Sequence, residues 1–84
     1  MSQTDKLKHS FGDCRGTYRY RDFERLIIAM GFDQLRAGKT AGSRRKFMHR
    51  VTMAMIFLDE PHDGEMRPAM VRRLQEQLEN LGLL

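Results

Sequence analysis

The chain has 84 residues, one cysteine and a formal charge of +4, with a sequence pI near 9.7. That length allows one domain with a modest core, burying roughly 60% of the surface its unfolded form exposes. A lone Cys14 excludes an intrachain disulfide, and no apolar run approaches the roughly 20 residues a membrane-spanning helix needs. Met1 to Lys8 lacks the apolar core of a signal peptide, so a cytoplasmic protein with an anionic partner is expected.

Residues 1–17 are polar, with Leu7 and Phe11 as their substantial apolar groups, and read as a flexible leader before a single domain over 18–84. From Arg21 the pattern turns helical. Phe23, Leu26, Ile27 and Met30 share one helical face, Asp22 and Glu24 suit the positive end of the dipole, and Gly31 provides a left-handed stop. Phe32 to Leu35 predicts a short strand and Ala37 to Gly42 a mobile loop. Ser43 to His49 predicts a strand with Ser43, Arg45, Phe47 and His49 on one face and Arg44, Lys46 and Met48 on the other.

The nearly unbroken apolar run Val51 to Leu58 predicts a central strand, joined to the basic one by a tight hairpin over Arg50 to Thr52. Met30, Met53 and Met55 are expected as core filler, and Met48 as an outer-face residue. Asp59 to Arg67 reads as a loop. Pro68 opens a last helix carrying Val71, Leu74, Leu78 and Leu81 on one face, with Gly82 at its end. Ile27 and Leu74 are expected core residues of the two helices. The order helix, three antiparallel strands, helix predicts an α+β domain with both helices on one sheet face and the other face wet.

The basic run carries the functional signal. Between Arg36 and Arg50 the chain has six Lys/Arg residues and His49 but no Asp or Glu. Such a segment suits a phosphate backbone, with Lys39, Ser43, Arg44, Arg45, Lys46 and Arg50 as RNA-binding candidates. It equally suits a solvated edge strand whose charges deter aggregation. For proton transfer, His49 is the first candidate, since Arg45 and Arg50 beside it are expected to keep its imidazole neutral. The competing role is a surface strand cap. His62, in the acidic turn Glu60 to Gly64, is the second candidate, with a structural alternative. The histidine spacing and single thiol indicate no metal site, and no cofactor is expected.

The segments Asp5-Lys6-Leu7, Leu26-Ile27, Met30-Gly31-Phe32, Gly38-Lys39-Thr40-Ala41-Gly42-Ser43-Arg44-Arg45-Lys46-Phe47-Met48-His49 and Pro61-His62-Asp63-Gly64-Glu65 resemble, in order and spacing, the HicA family of bacterial toxin–antitoxin systems. The resemblance runs from about residue 20 to the end and more weakly through the leader. It implies an α-β-β-β-α fold like the double-stranded-RNA-binding domain, and an mRNA-cleaving endoribonuclease held inactive by a HicB-like antitoxin. In the best-known members a catalytic histidine follows Gly-Ser directly. Here that position is Arg44, and a guanidinium cannot act as a general base. Three readings follow: an RNA-cleaving toxin, an RNA-binding module that does not cut, and an interaction protein whose basic face docks an acidic partner.

Overall fold

The first helix begins where Ser2 caps it, its hydroxyl accepting from the Asp5 N–H at 3.1 Å. The structure, a computed structural model, describes residues 2–36 and 42–84. Elements run α1 (Gln3–Gly12), β1 (Tyr18–Arg19), α2 (Tyr20–Ala29), β2 (Phe32–Leu35), β3 (Arg44–His49), β4 (Met55–Asp59), β5 (Glu65–Met66) and α3 (Pro68–Asn80). Strands β2, β3 and β4 form an antiparallel sheet in that order, and β1 pairs antiparallel with β5 in a two-stranded ribbon. The fold is mixed α+β. Among the described residues no helix is long and apolar enough to cross a membrane.

The apolar periodicities act as expected in the core, except that Leu81 only caps α3 and is exposed. Phe23, Leu26 and Ile27 of α2 and Val71, Leu74 and Leu78 of α3 are buried against Phe32, Phe47, Ile56 and Leu58 of the sheet. Gly31 ends α2 with φ +105°, a conformation costly for residues with a Cβ. Pro68 opens α3, where its missing N–H costs nothing.

Four expectations need correction. The segment read as a loose leader contains α1. Its Phe11 is fully buried, 4.9 Å from the Tyr18 ring and 5.1 Å from the Phe23 ring. The Gln75 amide donates to the Phe11 and Cys14 carbonyls, both at 2.8 Å, so α3 closes the C-terminal end of α1. Second, the run from Val51 is not a strand until Met55, and β4 is an edge strand; the basic strand β3 is the central one. Third, Met53 is exposed on the turn at φ +64° and Met55 is half-buried on the outer face, so neither fills the core. Fourth, the 59–67 loop includes β5, where Met66 is fully buried.

The register fixes two sheet faces. Inward lie Phe32, Phe47, His49, Ile56 and Leu58, with Arg45 at the end of that row. Outward lie Asp33 and Leu35 of β2, Arg44, Lys46 and Met48 of β3, and Met55, Phe57 and Asp59 of β4. The free edge of β4 is closed by α3. Arg73 donates to the Phe57 carbonyl at 3.3 Å and Gln77 to the Met55 carbonyl at 2.9 Å. Four residues along a helix and two along a strand span nearly the same length, about 6 and 7 Å, so the two donors match alternate carbonyls.

Candidate nucleic-acid interface

Strand β3 carries half of the candidate residues and sends them to different places. Arg44 and Lys46 point to the outer face and are exposed. Arg45 points inward at the strand's start, where Nε donates to Glu60 Oε1 at 3.0 Å and Nη1 to the Gly42 and Arg44 carbonyls, each at 3.0 Å. Ser43 is half-buried and its carbonyl accepts from the Glu60 N–H at 2.8 Å. Arg50 lies beyond the strand's other end, its Nε 3.2 Å from the Gly31 carbonyl and 3.6 Å from Asp33 Oδ2. Lys39 falls outside the described residues.

The acid-free run is not acid-free in space. Neighbouring strands and loops deliver Asp59 to Arg44 at 3.8 Å, Glu60 to Arg45 at 3.0 Å and Asp33 to Arg50 at 3.6 Å. The Arg44 and Arg50 pairs are solvated and contribute little to stability. The Arg45–Glu60 pair is less exposed and better aligned, and it fastens the start of β3 to the end of β4. Lys46 is the cation of β3 that faces no carboxylate among the described ion pairs.

His49 is a structural residue. It is 8% exposed and lies 5.1 Å from Phe32, ring to ring, edge-on. Its Nδ1 accepts from the backbone N–H groups of Val51 (3.2 Å) and Thr52 (3.3 Å). With Nδ1 accepting, the ring proton sits on Nε2, which donates to the Met30 carbonyl at 3.0 Å. The single lone pair that a general base needs is therefore spent on the turn after β3. Nor does Arg45 flank it, since four residues of extended chain separate them by roughly 13 Å. The ring also fills the space beside Gly31, where an added Cβ would come within 3.0 Å of Nε2.

His62 has the opposite setting. It is exposed and lines a shallow cleft with Gly42, Ser43, Arg45, Glu60 and Pro61, at the start of β3. Glu60 separates this cleft from a second one bordered by Arg19, Tyr20, Arg21 and Asp63. Burial raises the Tyr20 hydroxyl's pKa well above its usual value, and the negative charges of Glu24 and Glu60 add to the effect. Asp63 is held below the usual carboxylate value, first by the Glu65 N–H at 3.0 Å and then by Arg67 at 2.6 Å. Arg19, Arg21 and Arg73 are cations the run-based reading missed. Arg19 and Arg21 flank Tyr20 at the start of α2, and only the β1–β5 pairing brings them to the loop that holds His62.

Among the described residues no three His, Cys, Asp or Glu side chains are gathered as a cation site. Comparisons with protein-family models, with curated proteins and with solved structures each found no match.

Proposed function

We propose that this protein is an mRNA-cleaving toxin of the HicA kind, a metal-independent endoribonuclease of the cytoplasm neutralised by a HicB-like antitoxin, with His62 rather than His49 as its proton-transfer group. The supporting observation is the cleft at the start of β3, where an exposed imidazole stands with Ser43 and Arg45. In this reaction the RNA 2′-hydroxyl attacks the adjacent phosphorus and gives its proton to His62. The bond from phosphorus to the 5′-oxygen breaks, that oxygen takes its proton from water, and the hydroxide left behind takes back the proton held by His62. The products are a 2′,3′-cyclic phosphate and a 5′-hydroxyl. Arg45, the guanidinium that lines the same cleft, offsets the charge that builds at the reacting phosphate, while Arg44 and Lys46 on the outer face hold neighbouring phosphates of the strand.

A second reading, RNA binding without cleavage, draws support from Arg44 standing where the best-known members carry histidine. Incubating the purified chain with an end-labelled transcript in EDTA separates the two. Cleavage with cyclic-phosphate ends, lost in His62→Ala, is the expected result, whereas a bound but intact transcript favours the second reading.

The antitoxin is expected to lay an acidic surface over the basic face, which also steers association. RNA and antitoxin then exclude each other in a competition titration. A stable complex of toxin, RNA and antitoxin together would refute occlusion.

A further inference from the structure

The outer sheet face holds an aromatic ring that the fold does not use. Phe57 is 49% exposed, in contrast to the fully buried Phe11, Phe23, Phe32 and Phe47. Its cross-strand partner is Lys46, and Arg44 lies on the diagonal, opposite Asp59. Directly opposed Cβ atoms sit about 5 Å apart and diagonal ones about 7–8 Å, so the ring lies within reach of both cationic side chains. A third cation, Arg73, approaches from the edge by donating to the Phe57 carbonyl at 3.3 Å. Half-buried Met48 and Met55 continue the apolar surface on one side and Leu35 lies across Lys46.

An exposed ring within reach of cations matches the two needs of a single-stranded nucleic acid. The ring offers a flat surface for a base, and the cations meet the phosphates on either side. We infer that Phe57 is a stacking platform for an unpaired base, with Lys46 and Arg44 on the flanking phosphates, so that the outer face selects single strands over duplexes. A duplex hides its base faces in its own stack and has nothing to offer the ring. Asp59, the acid nearest the ring, is already engaged by Arg44 at 3.8 Å and so repels a phosphate less. This inference rests on the RNA reading above but does not depend on cleavage.

The test is a fluorescence anisotropy titration of the full chain with a labelled 12-nucleotide oligouridine and with a labelled duplex RNA. Phe57→Leu keeps the apolar contact and removes the π-face; Phe57→Tyr keeps both. Leu is expected to weaken single-strand binding by about tenfold or more, and Tyr to leave it within about twofold. The salt slope stays unchanged in Phe57→Leu but shrinks by about 0.7 in Lys46→Ala. Ultraviolet cross-linking of the oligouridine should map to the peptide containing Phe57. If Phe57→Leu binds like wild type while Lys46→Ala is weakened, the platform is wrong and the RNA reading stands. If the wild type ignores the oligouridine at low salt, both fall. Binding of polyglutamate through Phe57 in place of RNA would mark the face as protein-docking and overturn the proposal.

Discussion

The two ends of β3 each carry a histidine nearby, and the two rings live under opposite conditions. At the C-terminal end His49 is buried, with both nitrogens bonded to backbone. At the N-terminal end His62 is exposed, on a cleft it shares with Ser43 and Arg45. The difference teaches that proximity to a basic run does not select a general base. A catalytic imidazole needs a lone pair facing the substrate, and a ring that organises backbone has given its lone pair away.

The strongest way to break this contrast is kinetic. His62→Ala is expected to lower transcript cleavage by about 10²–10⁴-fold with its melting temperature unchanged, because an exposed ring supports no packing. His49→Ala should cut at the wild-type rate wherever it is folded. Reversal of these two outcomes in an end-labelled cleavage assay would return the catalytic role to His49.

The stability arm comes next. Removing the His49 ring leaves the Val51 and Thr52 N–H groups and the Met30 carbonyl without their partner, a cost of about 1–3 kcal/mol in urea unfolding. Gly31→Ala should act on the same latch. It combines a positive φ costing about 1–2 kcal/mol with a Cβ that crowds Nε2. Two variants that touch one contact should not add, and full additivity in the double mutant would show that the ring and the glycine are independent.

The smallest expected effect is a pH dependence near the other end. Asp63 has a lowered carboxyl pKa, held by the Glu65 N–H and Arg67. A group lowered in the folded state contributes stability that is complete above its unfolded value of 3.8 and fades as pH falls through the lowered one. Amide exchange at Glu65 should therefore quicken relative to the core below about pH 4, and Asp63→Ala should abolish that relative acid sensitivity.

Much of this architecture was legible in the residues. The spacing of Phe23, Leu26 and Ile27, the stop at Gly31 and the start at Pro68 are local signals, and α2 and α3 formed where they point. The alternation along β3 also placed His49 on the Phe47 face. What hid the consequence was Arg45 on that same face, because a charged residue there left the inward side undecided.

The failures have a common origin in distance along the chain. Phe11 is one apolar residue in a polar stretch, and its burial depends on Phe23, Tyr18 and the Gln75 amide from the last helix. The carboxylates that meet Arg44, Arg45 and Arg50 come from β2, β4 and the loop after it, so they appear only once the strand register is set. β4 starts four residues after the apolar run does, because Val51 to Ala54, though as apolar as a strand, forms a turn whose N–H groups donate to the His49 ring.

One consequence follows from the way α3 lies along β4. With the Met55 and Phe57 carbonyls already accepting from Gln77 and Arg73, that border of the sheet is closed to a further strand. Among the described residues the opposite border, β2, has no such cover. Copies that extend this three-stranded sheet would meet β2 to β2, an isologous contact that closes at two, and continuing it along the sheet would need the β4 border as well.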